Sequence, residues 1–129
     1  MRLIDTNIIL RYLLEDNEQQ AEKAVTEIMN GAVTTAEVIA EVVYVLSRVY
    51  KIPRDEVSWM IHRLLMDVKV ENLRSLRYAL GLFNQTNLDF VDCLLVAYHK
   101  VLGVDILSFD KKLNSALDKE FHIYQCDVD

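Results

Sequence analysis

Four carboxylates in this chain stand among apolar neighbours, and together they could hold a divalent metal ion. Asp5 lies in Leu-Ile-Asp-Thr-Asn-Ile-Ile-Leu and Glu41 in Val-Ile-Ala-Glu-Val-Val-Tyr-Val-Leu. Asp92 lies in Phe-Val-Asp-Cys-Leu-Leu-Val-Ala, and Asp110 follows Ile-Leu-Ser-Phe. An ionised carboxylate moved into apolar surroundings needs a partner, a metal or a proton. No lysine or arginine is placed in equivalent company, so the sequence predicts a cation from solution. Hard oxygen donors suit Mg²⁺ or Mn²⁺. Without such an ion the four acids would repel one another, by on the order of 4 kcal/mol per pair at ~4 Å and an effective dielectric near 20.

Each acid also has a plainer reading. Asp5 and Asp110 could cap the helices that follow them. Asp92 falls in a first helical turn, where an acid favours the helix dipole. Glu41 sits two turns inside a helix, where neither cap nor dipole needs it. Asp89 reads as a cap, and Glu37 as part of a capping box opened by Thr34. The other acids, such as Glu15, Asp16, Asp55 and Glu120, have polar neighbours and read as solvated surface charge.

The elements that must position the four acids follow from periodicity. Residues 2–5 read as a short buried strand, and residues 7–14 resume at helical spacing. Residues 18–29 form a second helix stopped by Asn30-Gly31. Short strands are predicted at 32–34, 68–70, 105–109 and 121–124. Helices are predicted at about 35–50, from Pro53 in a first turn through Leu65, and at 73–83, 90–101 and 111–116. Strands alternating with helices argue for an α/β domain, a three-layer α/β/α arrangement around a mostly parallel sheet. Sites in such sheets form beyond the carboxyl ends of the strands. Asp5 and Asp110 both fall at such ends.

The chain has 129 residues, 52% of them apolar, and 20 acids against 14 bases for a formal charge of −6. That length predicts one domain over residues 1–129. The apolar share predicts exposed apolar surface and hence a protein partner, a second copy among them. The acidity excludes bulk charge as the means of holding nucleic acid. Cys93 and Cys126 form neither a disulfide framework nor a zinc spacing. With no leader evident at the N-terminus, the sequence predicts a chain that starts at Met1 and stays in a reducing cytoplasm. His62, His99 and His122 do not converge in sequence on a second acid–base site, and no phosphate-binding glycine loop is present.

Taken together, the segments Leu-Ile-Asp-Thr-Asn, Ala-Glu-Val-Val-Tyr-Val-Leu, Asp-Phe-Val-Asp-Cys-Leu-Leu-Val-Ala and Ile-Leu-Ser-Phe-Asp-Lys-Lys resemble the PIN domain. Within that family they are similar to the VapC-type toxins of bacterial and archaeal toxin–antitoxin pairs. The resemblance covers essentially the whole chain in order. It implies a parallel-sheet α/β/α fold and metal-dependent cleavage of RNA. Its acidic quartet falls on Asp5, Glu41, Asp92 and Asp110, with Asn7 and Ser108 at positions that support the site. It also implies homodimers, and inhibition by a small antitoxin that lays a segment over the acids.

The chemistry expected is phosphodiester hydrolysis, with one or two Mg²⁺ or Mn²⁺ ions activating water and stabilising the leaving oxygen. Arg11, Lys111 and Lys112 are candidate phosphate contacts, although a lysine pair is commonly a solvated face. Two other readings stay open: a DNA nuclease or phosphatase using the same acids, and a non-catalytic PIN-like scaffold.

Overall fold

The computed structural model describes residues 1–123. Contacts divide the chain into two compact units, Met1–Glu71 and Asn72–Asp129.

The first unit is α/β. Its elements are β1 (Arg2–Leu3), α1 (Thr6–Leu14), α2 (Glu18–Met29), β2 (Ala32–Thr34), α3 (Ala36–Arg48), α4 (Arg54–Leu64) and β3 (Val68–Val70). The three strands form one parallel sheet in the order β1-β2-β3. Arg2 stands opposite Ala32, and Ala32 opposite Val68. Parallel neighbours need crossover connections, and helices supply both of them here. The core forms where the apolar stripes of the helices meet. Ile39, Val42, Val43 and Leu46 of α3 are buried, as are Ile9 and Leu10 of α1 and Val57, Ile61 and Leu64 of α4. Each such side chain contributes roughly 1.5–3 kcal/mol by leaving water. Glu37, Glu41, Tyr44 and Arg48 recur at helical spacing on the opposite, exposed side of α3.

The second unit is built on α5 (Leu73–Gln85), α6 (Phe90–Leu102) and α7 (Lys111–Asp118). α5 and α6 pack on each other, and Leu80, Phe83, Phe90, Leu94 and Ala97 are among their buried side chains. Phe83 and Phe90 meet edge to face at 5.8 Å and 78°. Gly81 leaves room for the chain beyond α7: a Cβ there would stand 2.5 Å from Cγ2 of Ile123.

Most predicted helices and two of the strands lie where periodicity put them, and the departures have physical reasons. Thr34 ends β2, and Thr35 is the N-cap of α3, its hydroxyl accepting from the Val38 N–H. Two adjacent threonines offer the same cap chemistry, and the backbone of β2 claims the first. Pro53 is the N-cap residue of α4 and not its first helical residue. Residues 105–109 form no strand, and residues 121–123 form none either. Tyr124 and Cys126 lie outside the described residues. In the 105–109 segment Leu107 is 92% and Phe109 98% exposed. A strand exists only where a neighbouring strand takes its hydrogen bonds, and among the described residues none pairs with this segment.

Candidate active site

Asp5 sits at the turn from β1 into α1. It is the N-cap of α1, and its Oδ1 accepts from the Ile8 N–H at 3.1 Å. The ladder runs on to Ile4, whose N–H donates to the Val33 carbonyl at 2.9 Å, so the backbone just before Asp5 is anchored to the sheet. Its other carboxylate oxygen has no hydrogen bond among the described residues, and the side chain is exposed. Glu41, on the exposed face of α3, also belongs to the first unit.

Asp110 repeats this arrangement in the second unit. It is the N-cap of α7, with Oδ1 accepting from the N–H groups of Lys112 at 2.8 Å and Leu113 at 3.1 Å. Ser108 holds the approach: its Oγ accepts from the Asp110 N–H at 3.0 Å, and its carbonyl accepts from Asn114 Nδ2 at 2.8 Å. In both Asp5 and Asp110 one oxygen satisfies a helix end and the other faces outward.

Asp92, in the first turn of α6, is half-buried. Burial is the main cause that lifts its pKa above the ordinary carboxylate value of 3.8. The charges of Asp89 and Asp110 raise it further, and Lys112 opposes them. Asp89, read from sequence as the α6 cap, stands at that position without a side-chain capping hydrogen bond, and its charge reaches Asp92. The helix-start signal concealed this acid.

The structure thus brings Asp92 and Asp110 into electrostatic contact, and places Asp5 and Glu41 in the other unit. Among the described residues no three His, Cys, Asp or Glu side chains are grouped so as to hold a metal ion. The expectation that all four acids are desolvated by apolar neighbours is corrected, because Asp5, Glu41 and Asp110 are exposed. Residues adjacent in a helix point to different sides, so an acid flanked by Ala40 and Val42 can still face water. A cleft of about 720 Å³ beside α2, lined by Glu15, Glu18, Ala21, Glu22, Val25 and Thr26, holds none of the four.

The remaining candidates divide. Asn7 is exposed and Ser108 acts on the backbone of Asp110. The Arg11 guanidinium is bound to Asp16 at 2.6 Å, and its pKa is raised, first by a hydrogen bond with Tyr50 and then by the charge of Asp16, against the effect of burial. Lys111 is exposed, while Lys112 Nζ donates to the Asn87 carbonyl at 3.4 Å.

The cap geometry makes a direct prediction. Asp110→Ala should destabilise the protein by about 1 kcal/mol, the usual cost of losing a helix cap, and Asp110→Asn by far less. Urea unfolding of the two variants checks this; equal losses would mean that the cap contributes nothing.

Residues 2–118 match the PIN domain. The chain belongs to that family, and with it to the α/β/α fold class that the alternation of elements predicts. It is also similar to the VapC ribonuclease of Aquifex aeolicus (strain VF5), with 26% identity over 133 residues, covering 97% of this chain and 98% of that protein. Among the described residues no helix is long and apolar enough to cross a membrane.

Proposed function

We propose that this protein is a metal-dependent endoribonuclease that hydrolyses RNA phosphodiester bonds, and that it is the toxin of a toxin–antitoxin pair. The observation that carries this reading is the likeness, over nearly the full length of both chains, to a protein named a ribonuclease. The intact acidic quartet inside the matched PIN segment supports it. The ligands assigned to Mg²⁺ or Mn²⁺ are Asp5, Glu41, Asp92 and Asp110.

The donor chemistry fits such an ion. All four ligands offer hard oxygens. Asp5 and Asp110 each keep one carboxylate oxygen free of hydrogen bonds among the described residues. Asp92 carries an electrostatic penalty from Asp89 and Asp110 that a cation would relieve. When bound, the ion would supply positive charge to an attacking water and to the departing oxygen. The chain's own part is positional. Ile8 holds Asp5, the first turn of α7 and Ser108 hold Asp110, and α3 presents Glu41, which is suited to orient water. Lys111 and Lys112 follow Asp110 and supply local positive charge for a phosphate in a protein that is acidic overall. We assign RNA as substrate, an antitoxin and a second copy of the chain as partners, and the cytoplasm as location.

The test is cleavage of a mixed RNA pool by the purified protein with Mn²⁺, with Mg²⁺ and with EDTA. Single-stranded DNA and an aryl phosphate ester are run alongside. Cleavage of RNA that EDTA abolishes is the expected result. Turnover of the other substrates alone would replace this reading with a DNA nuclease or a phosphatase. RNA binding with no cleavage under any metal would make the chain a scaffold.

A further inference from the structure

The exposed side of α3 continues past Glu41 in a way the metal chemistry does not use. Tyr44 follows Glu41 by three residues and Arg48 follows Tyr44 by four, so the three side chains share one face of the helix. Helical rise separates Glu41 from Arg48 by roughly 10 Å along the axis. Tyr44 is 62% exposed, a large aromatic on the solvent side of a helix whose opposite side supplies the core. Among the described residues Tyr44 takes part in no hydrogen bond or ring contact, whereas Trp59 on α4 has its ring covered by the Arg63 guanidinium at 5.1 Å. Arg48 and Lys51 are exposed at and just beyond the C-terminal end of α3. The face therefore runs from acid through an open aromatic ring to positive charge.

That order matches a nucleic-acid strand passing an acidic end, with a base on the ring and a further phosphate near the cations. Single-strand binders combine stacking aromatics with a cationic track in this way. Paired bases cannot lie flat on a side chain, so the arrangement selects unpaired ones. We propose that Tyr44 is a base-stacking residue that directs single-stranded RNA along α3 to Glu41. The proposal rests on the nuclease reading given above, and the experiment separates the two.

The Asp5→Asn protein, full length and with Mn²⁺, is titrated into a fluorescein-labelled single-stranded oligoribonucleotide and into the same strand in duplex form. Tyr44→Ala added to this background should weaken single-strand binding about tenfold. Tyr44→Trp should retain it, and duplex binding should not change. Circular dichroism confirms folding of each variant, which an exposed position should permit. Equal single-strand affinity in Tyr44→Ala and its parent would overturn the proposal, as would equal losses on both RNAs. If Tyr44→Ala instead breaks a dimer seen by light scattering and leaves RNA affinity intact, Tyr44 belongs to a protein interface. If the wild-type chain neither binds nor cuts RNA, the nuclease reading fails and this one with it.

Discussion

Asp5→Asn should leave the protein folded and lower RNA cleavage by more than about a hundredfold, the upper end of the losses seen when only the partners of metal ligands are removed. The geometry makes this substitution unusually clean. Asn and Asp cap helices about equally well. The amide oxygen of asparagine can keep the bond that Oδ1 accepts from the Ile8 N–H. What changes is the second oxygen, which becomes an NH₂ group with no lone pair for a cation. A variant with the melting temperature of wild type and no cleavage would assign the loss to that one atom and its charge. Retention of more than a tenth of the activity would remove Asp5 from the ligand set. Asp5→Ala should add a folding defect of about 1 kcal/mol from the missing cap, which the asparagine variant avoids.

Saturating Mn²⁺ should raise the melting temperature, and the acids of the second unit should govern the size of the rise. An ion present at a hundred times its dissociation constant stabilises the folded state by about 2.7 kcal/mol. For a chain of this length that corresponds to a shift of roughly 10 °C. The double variant Asp92→Asn, Asp110→Asn should show little or none of it. Without metal, the sign reverses for Asp92. A carboxyl whose folded pKa is raised binds its proton more tightly folded than unfolded. Its contribution to stability therefore falls as pH rises from 3.8 through the raised value, and the full penalty is present at neutral pH. Metal-free Asp92→Asn should accordingly melt above wild type at pH 7. That advantage should shrink as pH falls through the carboxylate range and vanish below 3.8. Differential scanning fluorimetry across pH, with EDTA and with Mn²⁺, reads both effects. An identical metal shift in wild type and the double variant would show that these two acids are not ligands.

Much of the first unit was legible because its signals are local. Helical spacing of Ala21, Ala24 and Ile28 marks α2, and the short segments Ala-Val-Thr at 32–34 and Val-Lys-Val at 68–70 mark β2 and β3. The threonine pair at 34–35 shows the limit of a local signal: both residues can cap, and only the pairing of β2 with β3 decides between them. The segment 105–109 shows the larger limit. Its composition is that of a strand, but strand formation depends on a partner that no local pattern specifies.

The site was legible as residue types more than as environments. Asp5 and Asp110 were recognisable both as caps and as candidate ligands, and the structure shows the cap, made by one carboxylate oxygen of each. Glu41 was singled out for its apolar neighbours, yet it is exposed, because Ala40 and Val42 are neighbours in sequence and lie on other sides of the helix. The coupling of Asp89 to Asp92 was hidden behind a plausible cap. The stripe from Glu41 through Tyr44 to Arg48 was available in the spacing of α3 and needed only the exposure of Tyr44 to separate it from core.

The stretch before Asp110 has a bearing on how the protein could be cut by a protease. A protease that cuts after large apolar side chains meets Leu107 and Phe109 fully presented, on backbone held by neither helix nor sheet. One cleavage there would break the covalent link between α6 and α7, and with it the link from Asp110 to the three acids earlier in the chain. Such a nick would require no prior unfolding of a helix or a strand.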